Sequence, residues 1–306
     1  MIHTIFNDYL SVSVDSMGAQ LRSVRSADGT EYLWQGDARY WADSSPVLFP
    51  YIARLYNNSY TYRGEAYNMG IHGFAASCEF ELEYVSDDSI SLLLRESEET
   101  LAQYPFRFEL RITYSLSGSK LLVQNKVRNA DAKLMPFAFG AHPGFNVPLD
   151  ERTEFEDYYL CFNEPCEPLR VGFSHELFIS GECSPYPLED GRYIKLKHSL
   201  FDEDAIILRD MAKSVTLGCF KTNRTLTISF SGFDYFGIWH APGTEAPYVC
   251  LEPWSSLPSR QGVVEELTEK ADMLMLKAGE EFENQWSLSI REGNDVRCTC
   301  SGRAAY

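Results

Sequence analysis

The chain of 306 residues carries 44 acidic and 27 basic residues, for a formal net charge of −17, and 44% of its residues are hydrophobic. That length allows one large β domain or two ordinary domains, with enough apolar residues to bury a large core. A surface this acidic repels phosphate backbones and anionic lipids, so we expect neither nucleic acid nor a membrane as a partner.

The N-terminal residues 1–16 lack the basic region and the apolar core of a signal peptide. No window of the sequence approaches the apolar length that a membrane helix needs. We therefore expect a cytoplasmic protein whose eight cysteines stay reduced. Cys298 and Cys300 form a C-x-C pair without a partner pair at zinc-finger spacing, so we expect free thiols and no structural metal.

Alternation of apolar and polar residues predicts many strands. The longest alternation is FRFELRITYSL at 106–116, followed by a turn at 117–120 and a returning strand at 121–129. Shorter runs of the same kind are bounded by Gly, Asp, Asn or Ser, and they lie at 80–85, 89–95, 214–220 and 225–230. These runs predict a large antiparallel sandwich.

Helical patterns are few. Residues 97–104 predict two helical turns, and residues 199–204 are ambiguous. Because strands do not alternate with ten-residue helical patterns, a Rossmann or TIM-barrel arrangement is disfavoured. No internal repeat or Pro/Gly/Ser-rich linker divides the chain, so we expect one all-β domain.

Five segments break the alternation and combine Gly, Pro, His and aromatic residues at expected strand ends. Such mixtures are typical of backbone that is shaped around a ligand. The segments are SSPVLFPYIARLY (44–56), GIHGFA (70–75), FAFGAHPGFN (137–146), DYFGIWHAPG (234–243) and VCLEPW (249–254).

Glu252 follows an apolar run that predicts a buried strand. A carboxylate there must be paired or used, because desolvating it alone is costly. On position alone, a functional acid–base role and a structural ion pair with an arginine are equally good interpretations. Arg54 ends another apolar stretch and needs an acceptor, which a ligand hydroxyl or Glu252 itself could supply.

His142 lies between Gly140-Ala141 and Pro143-Gly144, where small residues let the backbone turn and expose the ring. Histidine exchanges protons near neutral pH, although a lone histidine is more often a satisfied core residue. His72 has a similar context. No G-x-S-x-G, G-x-G-x-x-G, Walker or H-E-x-x-H motif occurs, which leaves acid–base work on a neutral, hydroxylated ligand.

Four segments in this order, SPVLFPYIARL, IHGFA, GAHPGFN and CLEPW, resemble the aldose 1-epimerase (galactose mutarotase-like) family. The resemblance is greatest to its divergent bacterial branch, encoded with lactose operons, and spans residues 1 to 290. It implies a β-supersandwich domain at 1–293 and leaves 294–306 as a tail of unknown role. The implied activity is cofactor-free interconversion of the α and β anomers of a hexose such as galactose or glucose. The implied partner is a small carbohydrate substrate, and we expect a monomer or homodimer.

The resemblance also implies roles for individual residues. Glu252 in LEPW corresponds to the general base, and His142 in AHPGFN corresponds to the general acid.

Sugar-binding roles follow in the same way. Arg54 and His72 would hold sugar hydroxyls and the ring-oxygen region, and Trp239 resembles an aromatic wall of the groove. The family's sugar-binding acid best matches Asp204, with Asp202 as the alternative.

The chain departs from the family pattern at the rim of the implied groove. Ala76 and Ser77 follow HGFA where the family commonly has Arg, and residues 255–260 replace a loop with Gly and Asp. The sugar therefore stays open. One alternative is epimerisation of a phosphorylated or acidic hexose, with Arg260 or Arg63 at the rim. Another is a non-catalytic carbohydrate-binding module.

Overall fold

The computed structural model describes residues 1–292, which form twenty-four strands and one short α-helix. The strands are β1 Ile2–Phe6, β2 Leu10–Asp15, β3 Gln20–Ser26, β4 Val47–Leu48, β5 Ser59–Tyr62, β6 Glu65–Asn68, β7 Glu81–Val85, β8 Ser89–Arg95, β9 Phe108–Ser117, β10 Lys120–Asn129, β11 Met135–Phe137, β12 Gly140–Ala141, β13 Gly144–Asn146, β14 Tyr158–Phe162, β15 Leu169–Phe173, β16 Ile179–Pro185, β17 Tyr193–Lys195, β18 Ile206–Arg209, β19 Ser214–Cys219, β20 Thr225–Ser229, β21 Tyr235–Trp239, β22 Tyr248–Trp254, β23 Leu274–Leu276 and β24 Glu281–Arg291. The helix α1 is Glu98–Gln103, and single 3-10 turns lie at Tyr56–Asn58, Ala75–Ser77, Phe155–Asp157 and His198–Phe201.

Two large sheets organise the molecule. The first runs β17-β14-β19-β20-β24-β10-β9-β8-β7, and the second runs β16-β15-β18-β21-β22-β12-β4 with β13 also paired to β22. Strands within both sheets pair antiparallel. One contiguous apolar core takes buried residues from both sheets, for example Leu110 and Val123 from the first and Leu208 and Leu251 from the second. The predicted all-β, antiparallel sandwich is confirmed.

The hairpin of β9 and β10 shows why this sequence forms strands. Along β9, buried Phe108, Leu110 and Ile112 alternate with partly exposed residues, as the period of two requires. Each pleat therefore sends one set of side chains into the core, whose burial is the main stabilising contribution. The returning strand repeats the alternation, and the tight turn between them includes Gly118 at φ +56°.

The other predicted elements fall close to the observed ones. The runs at 80–85, 89–95, 214–220 and 225–230 correspond to β7, β8, β19 and β20. The predicted helix corresponds to α1, which Ser97 caps: its hydroxyl accepts from Thr100 N at 3.3 Å, and Ser97 N donates to the Thr100 hydroxyl at 2.8 Å.

Six cysteines fall within the described part of the chain, and Cys78, Cys166, Cys183, Cys219 and Cys250 are free thiols. The expectations for Cys298, Cys300 and the tail at 294–306 lie outside the described residues. Within residues 1–292, no helix has the length and apolar character needed to cross a membrane.

Strand β22 has an unusually rich set of partners. It pairs with β21 over residues 250–254, with β13 over residues 248–250 and with β12 at Trp254. Alternation places Cys250, Glu252 and Trp254 on the same face of this strand. The sequence segments around residues 142, 239 and 252 therefore meet across one set of ladder hydrogen bonds.

Candidate active site

The carboxyl group of Glu252 is buried in the second sheet, with the residue only 1% exposed. Its neighbour across the ladder is Gly237 of β21. A Cβ atom at position 237 would lie 3.1 Å from Glu252 Cβ and 3.4 Å from Glu252 Cδ. Glycine at this position therefore gives the carboxylate the space it occupies.

His142 lies in the short break between β12 and β13, both of which pair with β22. Its main-chain N donates to Pro46 O at 3.2 Å. A Cβ atom would lie 3.1 Å from Ile52 Cδ1 at Gly140, and 3.0 Å from the Trp41 ring at Gly144. The glycines on both sides thus permit the close packing that brings the imidazole to Glu252.

The two side chains meet directly. Nε2 of His142 lies 3.2 Å from Oε2 of Glu252, and Glu252 has no arginine or lysine partner among residues 1–292. The contact is not aligned as a hydrogen bond, and neither Oε2 of Glu252 nor Nδ1 of His142 has a hydrogen-bond partner in the described residues. Of the two sequence interpretations of Glu252, the structure therefore favours an acid–base site over an arginine ion pair.

Burial controls the protonation of this pair. It lowers the pKa of His142 to about 4, against a small opposing effect of the residue's own backbone. It also raises the pKa of Glu252 well above its ordinary range, with Asp204 adding to the rise. The nearby indole N–H of Trp254 opposes that rise, although Nε1 makes no aligned hydrogen bond in the described chain. Both shifts favour the uncharged forms, a neutral imidazole and a carboxylic acid, which avoids burying two charges.

His72 is fixed by its own loop. Ala53 N donates to Nδ1 of His72 at 3.1 Å, and His72 N donates back to Ala53 O at 3.0 Å. Nδ1 is therefore the acceptor, and the ring proton sits on Nε2. Burial lowers the pKa of His72 well below its ordinary value, with the charges of His142 and Arg54 contributing. The neutral ring stands edge-on to His142, with centroids 5.5 Å apart, and keeps one N–H for a ligand.

Arg54 lies at the exposed edge of the site. Its guanidinium makes no salt bridge to any acid in residues 1–292, and its charge reaches His72. Its main-chain carbonyl accepts from Ser259 N at 2.9 Å, which anchors the backbone while the side chain stays available.

The structure distinguishes the two candidate acids. Half-buried Asp204 adopts φ +76° and accepts from Ala205 N at 2.8 Å. Its charge raises the pKa of Glu252, whereas the charge of exposed Asp202 acts on His240 instead. Asp204 is therefore the acid that lies near the pair.

Two tryptophans flank His142. Trp239, at the end of β21, lies with its ring centroid 5.6 Å from that of His142 at 79°. Trp41 lies 4.9 Å from His142 and 5.7 Å from Trp239, with the two indoles at 84°. Sequence reasoning missed Trp41 and also Cys250, which is fully buried beside Glu252. An aromatic pair, Tyr40-Trp41, inside an otherwise polar loop was the available signal.

This antiparallel double-sheet sandwich has the fold of galactose mutarotase-like proteins. A structure of a galactose mutarotase related enzyme from Lactobacillus acidophilus superposes with a TM-score of 0.91 and 34% identity, covering 96% of this chain and 99% of that one. A galactose mutarotase-like protein from Lactobacillus casei gives 0.89 and 31%, covering 95% and 100%.

Residues 1–270 match the model of the aldose 1-epimerase family, and the chain belongs to that family. It is also 37% identical over 260 residues to the chromosomal protein LacX of Lactococcus lactis, covering 82% of this chain and 86% of that protein. These findings confirm the resemblance carried by the four sequence segments, and they support an epimerase function in general terms.

The loop that holds His72 can be tested at Gly73. This glycine has φ +77°, and a Cβ would lie 2.2 Å from Phe49 O, whereas Gly279 has φ +76° with nothing within 4 Å. Gly279→Ala should cost only the left-handed backbone penalty of roughly 1–2 kcal/mol. Gly73→Ala should cost clearly more free energy of unfolding in urea, because the main chain at Phe49 must move. Equal losses in the two variants would contradict this account.

Proposed function

We propose that this chain is a mutarotase, an aldose 1-epimerase that interconverts the α and β anomers of a free hexose such as galactose or glucose. The observation that carries the proposal is the buried contact of 3.2 Å between Nε2 of His142 and Oε2 of Glu252. Family membership supplies the reaction class, and this pair supplies an acid and a base in reach of the same small molecule.

Ring opening needs one proton removed and one proton added. The Glu252 carboxylate takes the proton of the anomeric hydroxyl while the His142 imidazolium gives its proton to the ring oxygen, and the C–O bond of the hemiacetal breaks. Rotation about the bond to the next carbon presents the other face of the aldehyde. The ring then closes with both protons returned, so the pair ends as it began. Each positioned group contributes typically on the order of 10² to 10⁴ in rate.

The empty pair already has the protonation of the open-chain stage, with the acid on Glu252 and a neutral His142. Binding a cyclic sugar therefore requires the shared proton to move from Glu252 to His142. The short contact between the two groups provides the route. An anomeric hydroxyl that donates to the carboxylate favours this shift, because a hydrogen bond to a charged form stabilises that form.

The surrounding groups fit a neutral sugar. The Nε2–H of His72 and the guanidinium of Arg54 supply donors, and Asp204 supplies an acceptor for hydroxyls. Trp41 and Trp239 supply apolar ring faces, on which the C–H face of a hexose can pack.

The acidic-sugar alternative needs a cationic cluster at the rim, with Arg260 or Arg63 as the candidate residues. Arg260 is bound to Glu265 through two hydrogen bonds of 3.1 Å. The guanidinium of Arg63 lies over the Tyr62 ring, 5.3 Å from its centroid. These arginines are engaged elsewhere, which favours a neutral hexose over a phosphorylated one. A non-catalytic binding module is disfavoured because it would have no use for a costly buried carboxyl beside an imidazole.

The proposed enzyme works without a cofactor, since the acid, the base and the binding groups all lie on one chain. We expect a monomer or a homodimer for the same reason. We also expect it in the cytoplasm, where its cysteines stay reduced.

The proton-transfer pair is tested by polarimetry on freshly dissolved α-galactose and α-glucose. The natural chain should speed the approach to anomeric equilibrium. Glu252→Gln and His142→Asn should each lose about 10²- to 10⁴-fold of that acceleration, since each removes one proton-transfer group. Glu182→Gln and His175→Asn change exposed residues of the same types and should keep it. A natural chain that never exceeds buffer on any neutral aldose contradicts the proposal.

The sugar-binding acid is tested by a matched pair of substitutions. Asp204→Asn should lower kcat/KM by about 10- to 100-fold, because a hydrogen bond to a charged group contributes about 1.5–3 kcal/mol. Asp202→Asn changes an exposed side chain away from Glu252 and should stay within about twofold. A larger effect at Asp202 would reverse the assignment.

The pH profile of kcat/KM follows from the shared proton. As the pH falls, the pair takes up a second proton, on His142, while Glu252 is still protonated. No carboxylate is then left to act as the base. Because burial holds the pKa of His142 at about 4, the acidic limb should titrate near that value. Near-ultraviolet circular dichroism at each pH checks that the fold persists. An acidic limb at the ordinary histidine value of about 6.5 is the contrary result.

A further inference from the structure

A third reactive side chain stands beside the acid–base pair. Cys250 precedes Glu252 by two residues on β22, so both side chains lie on one face of the strand. Its thiol Sγ, one ring nitrogen of His142 and one carboxylate oxygen of Glu252 all lie within 4.8 Å of one another. All three residues are buried, and Oε2 of Glu252 has no hydrogen-bond partner within the described chain. The mechanism proposed above gives Cys250 no task.

This set of donors has a known chemical preference. Imidazole nitrogen, thiolate sulfur and carboxylate oxygen are the ligands of Zn²⁺, with bonds of about 2.0–2.3 Å. Tetrahedral ligands at those bond lengths are roughly 3.5 Å apart. The His142–Glu252 contact, at 3.2 Å, is already at this separation, and the most distant donors need to close by roughly 1 Å. Rotation of the side chains can supply such a shift without moving β22.

The charge balance is also favourable. A divalent cation with one thiolate, one carboxylate and one neutral imidazole is electrically neutral, so it leaves no uncompensated charge in a buried site. On binding, the thiol S–H and the carboxyl O–H each release a proton to solvent, and His142 contributes a ring lone pair. No electron is transferred, and no oxidant is required.

We propose that His142, Cys250 and Glu252 form an inhibitory site for a borderline or soft divalent cation such as Zn²⁺, Co²⁺ or Cd²⁺. The bound ion occupies both groups of the acid–base pair and leaves a fourth coordination position for water. Catalysis does not need this ion, and a chelator restores the free pair. Mg²⁺ and Ca²⁺ prefer oxygen ligands and do not compete for a site with sulfur and nitrogen donors.

Co²⁺ is the direct probe, because a thiolate bound to it gives a charge-transfer band in the near ultraviolet. The full chain should bind one Co²⁺ at this site with that band, and Cys250→Ser should lose it. Cys219→Ser changes another buried cysteine, in β19, and should keep it. A parallel set of samples carries Cys298→Ser and Cys300→Ser, because that C-x-C pair offers competing thiols.

Inhibition provides a second measurement on the same proteins. Zn²⁺ should slow anomerisation and EDTA should restore it, whereas Mg²⁺ should have no effect. For Cys250→Ser, inhibition is measured against the metal-free rate of the same variant. The Zn²⁺ concentration needed for the same inhibition should rise by more than the roughly 10- to 100-fold that loss of an outer-shell partner costs in metal affinity. Thermal unfolding and near-ultraviolet circular dichroism of the variant confirm that its fold is intact.

The outcomes separate this inference from the proposed function on which its inhibitory role rests. A Cys250-dependent cobalt band without mutarotase activity supports the metal site and contradicts the proposed reaction. A cobalt band unchanged in Cys250→Ser, or absent from the natural chain at millimolar Co²⁺, overturns the metal site whatever the activity.

Discussion

The chemistry that we propose for this site depends on the burial of Glu252 and His142 side by side. Desolvation disfavours the charged form of each group, so it lowers the pKa of His142 and raises the pKa of Glu252. Among residues 1–292, neither group has another side chain of opposite charge type within 4.0 Å. This arrangement suits the acid–base chemistry that we propose, because a small change in the surroundings can move a proton between the two groups.

Glycines beside the pair provide the space that the two side chains occupy, so the arrangement depends on them as well as on the functional side chains. Gly237 leaves room across the ladder for Glu252, and Gly140 and Gly144 let the segment around His142 pack closely on β22. The proposed binding groups come instead from irregular backbone, with His72 at φ +64° and Asp204 at φ +76°. Regular strands thus fix the reacting pair, and left-handed positions orient the groups around it.

Sequence reasoning predicted the all-β sandwich because a period-two alternation of apolar residues indicates a strand that buries one of its two faces, as in β9 and β10. It also identified the family, since four ordered segments match it. The protonation of the pair could not be predicted, because desolvation depends on what surrounds the side chains in space. Trp41 was missed for a related reason: it comes from a polar loop whose contact with His142 is made only in the folded chain. Cys250 was read as part of an apolar strand, and its neighbours became evident only from the register of β22.

The extensive pairing of β22 has a consequence for how this protein can change. A strand bonded to β21, β12 and β13 belongs to the part of a structure that opens last, and loops around it open at much lower free energy. Arg54, His72 and Asp204 all come from such connecting segments. The chemical centre and the ligand-selecting rim therefore belong to units of different mechanical strength. If the chain is the enzyme that we propose, a rim that can be reshaped without loosening the centre lets the choice of sugar drift while the reaction is retained.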